Sequence, residues 1–253
     1  MKDTPNKLSA NEKKEEAIQN ILEFLPESVE VPVLPPTQNR WYTLTESSKP
    51  ITVRPLTYAD EKIAGKARDS GGDLLTIMLD RCVDNINVND LFLFDKLYFL
   101  LKLREATYGP TFESEITCNA CKKNSKVSFD LTNVRITQVP EDVTNPHTFT
   151  LPVLKKEVSI MFPRVRDEVY FTEEGSDIGT NLWRFLQSID GHTDPYIISK
   201  VIEKMHVQDI HRIISELGGS QWGIDPTVDF SCAECQASYE IELPLTEDFF
   251  YLS

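Results

Sequence analysis

The clearest alternation of apolar and polar positions lies in two short stretches far apart in the chain. Residues 112–131 (FESEITCNACKKNSKVSFDL) and 229–245 (DFSCAECQASYEIELPL) each read as strand, tight turn, strand. Helical periodicity accounts for most of the rest. Residues 11–25 set Ile18, Ile21, Leu22 and Leu25 on one face behind a capping Asn11, which fits a helix packed on the body or one that docks on a partner. A strand over 51–55 leads to Thr57 and Asp60, a capping pair that opens a helix over 58–68. A second helix is predicted over 73–83. A third covers 90–106; it is apolar on almost every side, as a buried central helix must be, and it stops before Gly109. Strands near 134–138, 147–151 and 154–162 follow, then helices over 165–173, 177–189, 194–204 and 207–217. Residues 26–50 carry Pro26, Pro32, Pro35, Pro36 and Pro50 without a period, which predicts an extended arm that Trp41 and Tyr42 anchor to the body or to another chain. The fold class expected is α+β.

The two strand–turn–strand stretches match beyond their cysteines. An aromatic–glycine pair precedes each: Gly109 lies nine positions before Cys118, and Gly223 nine before Cys232. Apolar residues recur six, eight and ten positions after each second cysteine, at Val127, Phe129, Leu131 and at Ile241, Leu243, Leu245. Further upstream, VRPLTYADE (53–61) resembles MFPRVRDE (161–168). These matches predict an internal duplication of a unit of strand, helices and hairpin, over roughly 52–131 and 160–245. The organisation expected is an N-terminal arm with a short helix (1–50), a first repeat (51–133), a β-rich connector (134–162) and a second repeat (163–253).

Four of the five cysteines fall in the hairpin turns, as Cys118–Cys121 and Cys232–Cys235. A CxxC turn sets two thiolates on one side of a tetrahedral zinc site, and a second turn completes it. Cys121 and Cys232 stand 111 positions apart, so a shared zinc ion would clip the two repeats and close a long loop. Four cysteine ligands leave no open position for zinc catalysis. Redox use, packed free thiols, or iron in the same cage are the alternatives. Thioredoxin-like sites place CxxC at a helix N-terminus, whereas both pairs here sit between strands. Cys82, on an apolar helix, reads as a buried core thiol.

With 253 residues, 40% of them hydrophobic, the chain can bury one large core or two modest ones. Its formal net charge of -14 repels phosphate backbones. No apolar run reaches the roughly 20 residues of a membrane span, and the N-terminus lacks a secretory apolar region, so a reducing cytoplasm is expected. No GxSxG, HExxH, P-loop or dinucleotide fingerprint is present. His147, His192, His206 and His211 are scattered and read as surface residues. The acidic pairs Asp60/Glu61 and Asp167/Glu168 read as helix starts, where the dipole favours negative charge.

The order of motifs is informative as a whole: Leu34-Pro35 and Tyr42 in the arm, ITVRPLTYADE, a helix ending LREATYG, CNAC, a β segment, a second helical half, then CAEC and Phe249. It resembles the baseplate hub assembly protein family of contractile-tailed, T-even-like bacteriophages, over about 34–250. The resemblance implies a non-enzymatic protein that acts in building the baseplate hub, in the host cytoplasm during assembly or in the virion tail baseplate. Other baseplate and tail proteins are the implied partners, and the arm is the expected point of contact. No nucleic acid, membrane or small-molecule substrate is expected. A zinc-ribbon nucleic-acid-binding accessory is the rival reading. Lys122, Lys123 and Lys126 flank one knuckle, but Asp229, Glu234 and Glu240 flank the other, which disfavours it.

Overall fold

The computed structural model describes residues 9–22, 30–69, 72–172, 178–218, 221–243 and 245–250. In chain order the elements are α1 (Ala10–Leu22), β1 (Val31–Val33), β2 (Ile51–Val53), α2 (Tyr58–Asp69), α3 (Leu74–Cys82), β3 (Val83–Asp84), α4 (Leu93–Tyr108), β4 (Thr111–Thr117) and β5 (Asn124–Asp130). There follow β6 (Arg135–Thr137), β7 (His147–Thr150), β8 (Glu157–Ile160), α5 (Val169–Thr172), α6 (Ile178–Asn181) and β9 (Leu186–Ile189). The chain continues with α7 (Pro195–Ile202), α8 (Val207–Leu217), β10 (Gly223–Asp225), β11 (Thr227–Ser231) and β12 (Ser238–Glu242). The fold is mixed α+β, with small antiparallel sheets rather than one large one.

Two of these sheets share a plan. The first runs β1-β2-β3 and the second β7-β8-β9, both antiparallel. In each, two helices are inserted between the second and third strands, and helix then leads to a CxxC hairpin, β4–β5 or β11–β12. Local details coincide. The Arg54 N–H donates to the Cys82 carbonyl at 2.9 Å, and the Met161 N–H to the Phe185 carbonyl at 2.8 Å. Downstream of Pro55 and Pro163, the Asp60 carboxylate accepts the Thr57 N–H (2.9 Å) and the Asp167 carboxylate accepts the Arg164 N–H (2.8 Å). The acidic pairs therefore cap helix starts, as their positions implied. The aromatic–glycine pairs serve different ends. Gly109 caps α4 at φ +85°, whereas Gly223 opens β10 at φ +88°, where a Cβ would lie 3.1 Å from the Phe94 carbonyl oxygen.

Helix α4 joins two apolar cores. Phe99, Leu100, Leu101 and Leu103 enter the first core with α3 and the β1–β3 sheet. Phe94, with Phe92 just before the helix, enters the second, against Phe162 and Trp222. Buried Lys96 binds Asp73 (2.8 Å) and Glu168 (2.7 Å), tying α3, α4 and the segment before α5 together. Loss of either carboxylate would leave a poorly paired buried cation.

The structure revises several expectations. Residues 186–189, expected to be helical, form β9, because Leu186 and Ile189 are buried where β8 offers a free edge. β1 arises inside the proline-rich segment; Pro32 is tolerated because β1 is an edge strand. Of the two attachments the sequence left open for residues 30–50, the structure shows the one to the body, with Tyr42 as an anchor. Thr37 is fully buried, its Oγ1 donates to Asp95 at 2.5 Å, and the Tyr42 hydroxyl donates to the same carboxylate at 2.7 Å. His147 is not a surface residue: its ring stacks on Phe162 and Phe149, and its Nε2 lies 3.2 Å from buried Glu216. α1 leaves Ile18, Ile21 and Leu22 exposed; Leu25, counted on the same face, lies outside the described residues.

Burial pushes the Asp95 carboxyl up to about 6, against the hydrogen bonds from Thr37 and Tyr42. A carboxyl whose folded pKa exceeds its unfolded value gains stability on acidification, and loses it as pH rises through about 6. Relative to Asp95→Asn, the wild-type chain should gain about 1 kcal/mol between pH 7 and pH 5 in urea melts. Asp95→Ala strands two buried hydroxyls and should cost about 2 kcal/mol by the same measurement.

Candidate metal centre

Each hairpin ends in a knuckle of the same construction. The Cys118 N–H donates to the Lys123 carbonyl and the Lys122 N–H to the Cys118 carbonyl, both at 2.9 Å. In the second hairpin the Cys232 N–H donates to Ala237 and the Gln236 N–H to Cys232, again at 2.9 Å. Lys122 and Gln236 hold the corresponding left-handed position, at φ +62° and +60°. That conformation costs a non-glycine residue roughly 1–2 kcal/mol, and the hydrogen bonds of each turn hold it there.

The knuckles face each other. The Cys118 and Cys235 sulfurs lie 3.7 Å apart, and those of Cys121 and Cys232 lie 3.8 Å apart. All four sulfurs fall within 4.8 Å of one another. Bonded sulfurs would be about 2 Å apart, so these are not disulfides. A tetrahedron of sulfurs around a metal at 2.3 Å has edges of roughly 3.8 Å. The donor set thus fits a metal ion in both spacing and chemistry. Among the described residues, no other group of three or more His, Cys, Asp or Glu side chains is arranged to hold a metal. Cys118 and Cys232 are buried, Cys121 is half-buried and Cys235 is exposed. Cys82 is buried elsewhere, in the first core.

Local polar groups prepare the sulfurs. Backbone N–H groups of Cys121 and Ala120 pull the Cys118 thiol down to about 6. Those of Cys235 and Glu234 lower Cys232. Cys235 is drawn down by the Ala237 N–H, but burial and the sulfurs of Cys121, Cys118 and Cys232 outweigh this and push it up to about 12. Four thiolates cannot gather without a cation, because mutual repulsion keeps protons on some of them. The surroundings also bind the hairpins together. Phe230 is fully buried beneath the sulfurs with Ile116, Val127 and Tyr239. The Asn119 N–H donates to the Tyr239 hydroxyl at 2.9 Å, and Lys123 pairs with Glu234 at 2.6 Å. Lysines beside the first knuckle, read from sequence as a possible basic patch, are partly neutralised by that pair.

The family model described as T4 bacteriophage base plate protein matches residues 36–251, most of the chain. The chain belongs to that family. The base plate match takes in both cysteine pairs and both hairpins, and it starts within the segment pinned by Thr37 and Tyr42. No curated protein and no solved structure matches this base plate protein significantly. None of its described helices is long and apolar enough to cross a membrane.

Asp60, nearly fully buried, receives Arg54 at 2.8 Å and Arg81 at 2.7 Å, and the Arg54 guanidinium holds its carboxyl far below the usual carboxylate range. The capping signal revealed Asp60; nothing in the local sequence revealed its two arginines. For the metal-loaded protein, Cys→Ser at position 118, 121, 232 or 235 should lower the melting midpoint by more than about 10 °C, and Cys82→Ser by much less. Metal uptake at neutral pH should release the Cys235 proton into a weakly buffered indicator solution, and acidification should weaken the binding.

Proposed function

We propose that this base plate family member is a non-enzymatic assembly protein of the tail baseplate hub, held in shape by one structural zinc ion on Cys118, Cys121, Cys232 and Cys235. The family match over residues 36–251 carries the reading. Zinc suits the site because four thiolates form a closed tetrahedral set, which supplies folding energy and leaves no position for a substrate. Iron in the same cage is the competing occupant. The rival nucleic-acid reading loses ground because the charge of Lys123 is spent on Glu234 and the chain is strongly acidic.

The zinc would join two halves related by duplication. The shared order of sheet, inserted helices, helix and hairpin supports that relation, as do the matched capping carboxylates and the matched knuckles. The division proposed from sequence is an arm over 1–50, repeats over 51–133 and 163–253, and a connector over 134–162; the shared sheet plan would extend the two units back to β1 and β7. Within the arm, residues 30–50 serve the body, so partner contact falls to α1, whose apolar face is exposed. Other baseplate and tail proteins are the partners, met in the host cytoplasm during assembly and, for a retained subunit, in the virion.

The test is complementation of a phage lacking this protein. The wild-type chain should restore complete baseplates in electron micrographs. Chains with Cys232→Ser, or with residues 1–29 removed, should leave tails or hubs unassembled, the second without change in melting midpoint. Normal baseplates in the absence of the protein would overturn the assembly role.

A further inference from the structure

The chain is acidic, yet one cleft in its second half is lined by cations. It measures about 370 Å³, and Arg164, Arg166 and Arg184 share its wall with Tyr170 and Trp183. Asp167 is the one carboxylate in the lining, and it is engaged by the Arg164 N–H. Arg164 donates to the Asp90 and Trp41 carbonyls and lies over the Phe92 ring at 4.4 Å; Arg166 pairs with Asp90.

Arg184 differs from both. Its guanidinium sits 4.4 Å from the Tyr170 ring centroid and 4.5 Å from that of Trp183. Its Nε donates to the Asn181 Oδ1 at 3.0 Å, while Asn181 Nδ2 donates to the Tyr170 carbonyl at 2.9 Å. Buried Asn181 thus orients both the ring-bearing segment and the guanidinium. The two terminal nitrogens meet no carboxylate among the described residues. A planar fork, fixed by two rings and a hydrogen bond, has already lost the rotamer freedom that binding would otherwise cost. Such a fork matches the two oxygens of a carboxylate.

The geometry points to this cleft as a docking site for an acidic segment of a partner protein, with Arg184 receiving a carboxylate in two parallel hydrogen bonds and Arg164 and Arg166 supplying the surrounding positive potential. A protein carboxylate is favoured over a nucleic-acid phosphate because the rest of the chain, at a formal net charge of -14, repels a long polyanion while tolerating a short acidic loop. The inference rests on the assembly reading for its partner class but on no metal ligand, so its failure would leave the zinc and the baseplate role standing.

The probe is a capped peptide of alternating aspartate and glutamate, titrated into the full-length protein and followed by calorimetry and by tryptophan fluorescence. The peptide should bind saturably, and its asparagine–glutamine counterpart should not. Trp183→Phe should remove most of the fluorescence change. Arg184→Gln and Arg184→Lys should each weaken binding by at least about tenfold, since lysine keeps the charge but not the fork. Arg135→Gln, on the β6–β10 ribbon, should leave binding unchanged. Undetectable binding, binding by either Arg184 variant as tight as that of the wild-type chain, or stronger binding of a single-stranded oligonucleotide at the same residues would overturn the proposal.

Discussion

Two pairs of thiols separated by 111 positions meet at 3.7–3.8 Å, and on the proposed reading that meeting fixes how the two hairpins sit together. Closing so long a loop costs only modestly more than closing a short one, because the entropy grows with the logarithm of its length. The harder requirement is electrostatic. Thiolates packed this closely repel one another, and burial together with the neighbouring sulfurs pushes the Cys235 thiol up. A divalent cation held by the four sulfurs would reverse the sign of the interaction and tie the two knuckles together. Around it, the Tyr239–Asn119 and Lys123–Glu234 contacts and the buried Phe230 hold the hairpins in register for the metal.

Below the apex the halves are not independent bodies. Helix α4 buries one end in each core, and Lys96 is satisfied only when carboxylates from both sides of it are in place. Asp95, on the same helix, fixes the proline-rich segment through Thr37 and Tyr42. Apolar packing around α4 therefore opposes a separation that thiolate ligation at the hairpins, as proposed, would also resist. The proposed partner surfaces, α1 and the arginine-lined cleft, differ in kind, one apolar and one cationic.

Much of this was legible in the sequence because its signals are local. The CxxC turns, the alternation of Val127 and Phe129, the period of 90–106 and the capping residues Asp60 and Asp167 each depend on neighbours a few positions away. β9 was not legible, because Leu186 and Ile189 take strand form only where the β8 edge awaits them. For residues 30–50 the prolines announced an extended chain and Tyr42 its anchor, but the partner that fixes it, Asp95, lies more than fifty positions on and was hidden for a related reason. Arg184 and Tyr170 likewise meet only through the fold. An isolated histidine reads as a surface residue until its rings and its glutamate are known, as His147 shows. The cysteines stood out because their chemistry demands partners, and two incomplete half-sites in one chain imply each other.

Native mass spectrometry of the purified chain, before and after chelation, tests the central claim most directly. The account predicts one zinc ion per chain, removed only together with the protection of all four knuckle thiols from alkylation. A chain that carries no metal, or that holds its metal undiminished after Cys118 and Cys232 are both replaced by serine, would contradict it.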